Sequence, residues 1–128
     1  MIDKFFLFVF GIEWLAFGIL GLFFPEIIIG LMGLTQLPTP DFVLSETRAW
    51  YAFFTVLGLM SLISLSRIKL RKKVYLTFGI VMGSFLFGRI ISFFLDGSFG
   101  TGTAMAFANE FIVFVVAYWR YTRRDYIF

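Results

Sequence analysis

Four stretches of this chain are each close to the length at which a helix crosses a lipid bilayer, and they leave few alternatives for its fold. They run over roughly 4–24, 46–66, 73–95 and 103–120, a spanning helix needing about 20 predominantly apolar residues. Of the 128 residues, 60% are hydrophobic and only 15% charged. A soluble domain of this size has no interior large enough for that much apolar surface. The expected fold is all-α: an integral membrane bundle of four transmembrane helices, built as one domain over residues 1–128.

Local signals mark the ends of the spans. Pro25 cannot continue the first helix, Ser45 is placed to cap the second, and Asp96-Gly97 is a turn signal after the third. Lys4 followed by an apolar run imitates a secretory leader. The length of the run, the presence of Glu13 and the lack of a small-residue cleavage site identify a retained helix instead. Between the first two spans, residues 27–34 are apolar but too short to cross, which predicts an interfacial segment. Residues 36–41, with Pro38 and Pro40, predict an extended loop.

The basic residues orient the spans. Arg67, Lys69, Arg71, Lys72 and Lys73 crowd the connection between the second and third, and Arg120, Arg123 and Arg124 follow the fourth. Lys4 precedes the first. With four spans all of these fall on one side, so the positive-inside rule predicts both termini in the cytoplasm. Tyr118, Trp119, Tyr121 and Tyr126 then anchor the cytoplasmic exit, and Trp50 and Tyr51 the opposite entrance. The net charge of +3 reflects this topology and contact with anionic lipid, not nucleic-acid binding.

The chain has no Cys and no His. That removes disulfides, thiolate metal sites, His-ligated haem and the commonest general base. No catalytic residue, metal ligand or cofactor site is expected.

The residues that stand out are charges within or beside the spans. Glu46 and Arg48 open the second helix, where Glu46 suits a helix N-terminus and Arg48 can reach headgroups. Glu13 falls near the midplane. At about 1.5 Å rise per residue, Arg89 and Glu110 both lie about 10 Å below the outer surface, which makes them candidates for a buried ion pair. Arg89, Ser92 and Asp96 share one helical face by their spacing. Glu110 belongs to a stripe with Thr103, Ala106, Val113 and Ala117, mostly small residues that permit close helix approach. Gly11, Gly18 and Gly21, and the Gly79–Gly83 spacing, permit the same. Ionisable groups inside a membrane mark function or hold helices together.

Several of these residues carry a resemblance. The run Ser45-Glu46-Thr47-Arg48-Ala49-Trp50-Tyr51 resembles the E-x-R-A-x-Y entrance of the family termed domain of unknown function 4345. Gly88-Arg89-Ile90-Ile91-Ser92, followed by Asp96-Gly97, resembles its G-R-x-x-S-x-x-x-D-G segment, and Glu110 stands where that family places an acidic residue. Ala52-Phe53 replaces the family's small Gly-Gly pair, and no proline follows Asp96-Gly97. The resemblance implies a small bacterial four-helix membrane protein, multi-pass in the inner membrane, and supplies no activity.

Two functions are therefore expected to compete. One is a non-enzymatic accessory subunit that packs against other membrane proteins or itself. The other is a binding or transport protein for a lipid headgroup, small solute or protons, using Glu46, Arg48, Arg89, Asp96 and Glu110 as an outward-facing pocket.

Overall fold

The computed structural model describes residues 1–31, 41–97 and 99–123, the side chains of 41 and 42 excepted. Five helices account for nearly all of them: α1 (Ile2–Phe23), α2 (Pro25–Leu31), α3 (Asp41–Ser64), α4 (Ile68–Asp96) and α5 (Thr101–Thr122). Among the described residues there is no strand. The chain divides into two compact units, Met1–Arg67 and Ile68–Phe128.

In the first unit, α1 ends because Pro25 follows it. Phe24 leaves the helical region at φ −129° and ψ 58°, as a residue preceding proline tends to. Pro25 then opens α2 from the first helical position, where its missing N–H costs nothing. The expected interfacial segment thus begins within a seven-residue helix; 32–34, and 36–40 of the expected loop, lie outside the described residues, while the last residue of that loop, Asp41, is already helical and opens α3.

The long partners in this unit are α1 and α3. Leu7, Phe10, Trp14, Gly18 and Gly21 form the buried stripe of α1, spaced by three and four residues as one helical face requires. Tyr51, Leu57, Gly58, Ser61 and Ser64 are buried on α3. Aromatic edges interlock between the helices, with the ring of Phe54 5.0 Å from Trp14 and 5.6 Å from Phe17.

Two boundaries differ from expectation. Ser45 does not cap a helix, because α3 begins a turn earlier at Asp41. Thr47 Oγ bonds back to the Val43 carbonyl at 2.8 Å inside that extra turn. The basic connection is likewise mostly helix: α4 starts at Ile68, since Lys and Arg are good helix formers. Only 65–67 remain outside the two helices, with the Leu65 and Ser66 amides donating to the Leu62 and Ile63 carbonyls.

In the second unit, α4 and α5 form an antiparallel hairpin. Val74, Tyr75, Phe78, Met82 and Leu86 are buried on α4, and Glu110, Val113, Ala117 and Arg120 on α5. Gly97 ends α4 with φ +66°, its amide bonded to the Phe93 carbonyl at 3.0 Å. This left-handed stop suits glycine, which has no Cβ to clash.

Among the described residues, α1, α4 and α5 are long and apolar enough to cross a membrane. The fourth expected span, α3, has 24 residues, but its first turns carry Ser45, Glu46, Thr47 and Arg48 and dilute its apolar length.

Candidate functional site

The centre of the candidate site is a two-pronged ion pair. Arg89 sits seven residues before the end of α4, one turn beyond the buried run that finishes at Leu86. Glu110 leads the buried stripe of α5. The Arg89 Nε donates to Glu110 Oε2 at 2.6 Å and its NH2 to Oε1 at 2.7 Å. Both carboxylate oxygens are thereby engaged by one planar fork, the geometry in which Arg surpasses Lys. The Glu110 side chain keeps only 7% of its exposure, the Arg89 side chain 31%. The expected pair is therefore formed, with its acid sealed and its base at the rim.

The stripe inferred for α5 points inward as expected: Glu110, Val113 and Ala117 are buried, and Thr103 and Ala106 half-buried. Farther along α4, Ser92 Oγ donates to Asp96 Oδ2 at 2.6 Å, and both residues are exposed. Asp96 thus bonds on its own helix, one turn past the ion pair.

The remaining expected site residues belong to the first unit. Arg48 donates from NH1 to the Leu22 carbonyl, one of the last carbonyls of α1, which have no partner within their helix. A guanidinium there also faces the negative end of the helix dipole. Glu46, two residues earlier, is exposed. Glu13 is half-buried midway along α1.

Three features were not foreseen. Ser61, buried on α3, donates to the Leu7 carbonyl at 2.7 Å and joins the two helices by a hydrogen bond. Gly58 of α3 answers the glycines of α1, leaving Leu15 room to lie against its backbone; a small-residue stripe through Gly58 and Ser61 was the available signal. Arg120, counted by sequence only among the basic residues that orient the spans, is 6% exposed, its guanidinium carbon 5.1 Å from the centre of the Trp119 ring. Three residues after Ala117, it continues the buried face of α5. Arg124 and Tyr126 lie outside the described residues.

Among the described residues, no group of three or more His, Cys, Asp or Glu side chains is placed to hold a metal ion. Chemically, the site pairs a carboxylate with a guanidinium, so that the two charges neutralise each other between α4 and α5.

These features define an all-helical protein with three helices long and apolar enough for a membrane and a buried ion pair tying two of them together. The family model described as Domain of unknown function (DUF4345) matches residues 2–121, and the chain belongs to that family. No curated protein and no solved structure matches it.

Proposed function

We propose that this chain is a multi-pass protein of the bacterial cytoplasmic membrane that crosses four times, with both termini on the basic side. There it serves as a non-enzymatic accessory subunit, packing against other membrane proteins or against a second copy. The observation that carries the role is the Arg89–Glu110 fork. The Arg89 guanidinium of α4 and the Glu110 carboxylate of α5 are committed to each other, as helix-joining groups in membranes are. The exposed faces left over, including Ile80, Phe87, Phe111 and Ile112, are apolar surface available to lipid or neighbouring helices.

A fourth crossing by α3 is supported by how its polar groups are disposed. Arg48 serves α1, and the hydroxyls of Thr55, Ser61 and Ser64 are each returned to a backbone carbonyl. From Ala49 onward the helix presents lipid with little that needs water. Four crossings also gather Lys4, Arg67–Lys73 and Arg120–Arg123 on one side.

The test is association. Purified in mild detergent, the protein should run as an oligomer or with a co-purifying membrane partner, and crosslinking in native membranes should capture the same species. A monodisperse, partner-free monomer in both experiments overturns the proposal. A headgroup, solute or proton site is the second reading, favoured by the residual exposure of Arg89 beside the Ser92–Asp96 pair. It requires Arg89→Ala to abolish binding or flux while the helices remain folded.

A further inference from the structure

The second unit carries a groove that the ion pair does not explain. It runs between α4 and α5 with a volume of about 570 Å³, walled by Leu76, Gly79 and Gly83 on one side and Phe114, Tyr118 and Tyr121 on the other. Gly79 and Gly83 make the space. A Cβ at Gly79 would meet nothing within 4 Å, and one at Gly83 would meet only the Phe114 ring, at 3.1 Å. The lining continues on α4 from Tyr75 to Phe87, about 18 Å of helix. An open groove of that length, walled by aliphatic and aromatic side chains, suits an extended hydrocarbon chain lying along it.

Charge marks one end of it. Lys69, Lys72, Lys73, Leu76, Ile80, Gly83 and Phe87 recur at three- and four-residue spacing, so the lysines stand on the face of α4 that walls the groove. All three lysines are exposed. The Lys72 ammonium lies 5.3 Å from the centre of the Tyr121 ring, which lines the groove. The first turn of α4 holds no acidic residue, and Arg123, also exposed, follows α5. An apolar groove that leads to a cluster of long basic side chains complements a molecule with an acyl chain and an anionic head.

We infer that the α4–α5 groove binds an anionic phospholipid, with one acyl chain along Gly79 and Gly83 and the headgroup phosphate among Lys69, Lys72 and Lys73. Neutral phospholipids offer the same chain but a zwitterionic headgroup, so the lysines supply the selectivity and the groove the fixed position. The inference rests on α4 and α5 lying in a bilayer, and it is independent of whether the protein has protein partners.

Native mass spectrometry of the full chain released from detergent micelles tests it, with phosphatidylglycerol and phosphatidylcholine of identical chains as probes. The wild type should retain one phosphatidylglycerol at least five-fold more than phosphatidylcholine. Gly79→Leu projects a side chain into the groove from a position whose Cβ meets nothing within 4 Å, and should cut that retention at least five-fold without lowering the melting temperature. Ser84→Phe, an exposed lining position one turn further along, should do the same should Gly79→Leu unfold the protein. Replacing Lys69, Lys72 and Lys73 together by Gln should bring the anionic lipid down to the level of the neutral one. Equal retention of the two lipids by the wild type, or retention unaffected by both groove-filling variants, overturns the inference. So does a groove filling that breaks a crosslinked oligomer while lipid retention persists, since the groove would then belong to a protein partner. Should the chain be soluble without detergent, the membrane reading itself fails, a result distinct from all of these.

Discussion

Gly18 of α1 and Thr55 of α3 meet backbone to backbone: a Cβ at position 18 would stand 2.5 Å from the Thr55 amide nitrogen and 2.8 Å from its Cα. The contact has a mirror image three residues away, where a Cβ at Gly58 would stand 2.7 Å from the Leu15 Cα. The two glycines thus serve one crossing point, each admitting the other helix.

Alanine at either position has to push backbone aside, which no side-chain rotation relieves. Gly18→Ala and Gly58→Ala should each destabilise the protein by about 1–3 kcal/mol, the usual range for overpacking. Gly79→Ala is the control: its Cβ enters open space, and the gain in helix propensity should stabilise by up to about 1 kcal/mol. Thermal unfolding in detergent, followed by Trp fluorescence, reads all three. Equal effects at Gly18 and Gly79 would show that the crossing is looser than described.

The Arg89–Glu110 pair should behave as a unit. Arg89→Ala leaves the sealed Glu110 carboxylate without its counterion and should cost about 3–5 kcal/mol, whereas Glu110→Ala leaves a guanidinium at the rim, 31% exposed, and should cost less. Arg89→Met with Glu110→Leu removes both charges at similar volume and should recover most of that loss. A double-mutant cycle from unfolding midpoints measures the coupling, and additive effects would mean that the fork does not hold the helices. Salt should have little influence, because buried pairs are poorly screened.

Arg48 offers a smaller, one-sided effect. Its hydrogen bond to the Leu22 carbonyl satisfies one end of α1 but lies in an exposed position, so Arg48→Gln should cost about 1 kcal/mol. Hydrogen exchange at the last turn of α1 should rise in that variant while exchange at α4 and α5 stays put. Uniform faster exchange would point to a global role for Arg48 instead.

What could be anticipated from sequence depended on whether both partners of an interaction are side chains. Arg89 and Glu110 are opposite charges at equal depth on consecutive helices, so spacing alone pairs them. Arg48 stands out in the sequence, but its acceptor is a backbone carbonyl that becomes available only because Pro25 ends α1 where it does. Gly18 announced a close approach without naming Thr55, since glycine records only the absence of a side chain. Arg120 looked like one more member of a basic cluster. Its burial follows from its register with Glu110, Val113 and Ala117, which sequence position near the end of a span conceals. The start of α4 at Ile68 is not legible in sequence, because a run of Lys and Arg satisfies a helix and a loop equally well.

The composition of α5 leads to a prediction about how the protein enters the membrane. Phe107, Phe111, Ile112, Val113, Phe114, Val115 and Val116 together favour insertion by roughly 3 kcal/mol, while a single charge near the centre opposes it by about 2.5–3.5 kcal/mol. Glu110 therefore nearly cancels the apolar drive of the least apolar of the three candidate spans. With Arg89 already in place on α4, the carboxylate is neutralised by the fork instead of facing lipid. In the full chain, Arg89→Ala should leave α5 partly outside the bilayer, and adding Glu110→Ala should restore its insertion. The chain has no native cysteine, so Thr122→Cys reports the outcome cleanly with a membrane-impermeant thiol reagent. Labelling from the side opposite the basic start of α4 should appear with Arg89→Ala and disappear in the double variant. If Arg89→Ala leaves the labelling pattern unchanged, α5 inserts on its own, and the ion pair serves only the packing that follows.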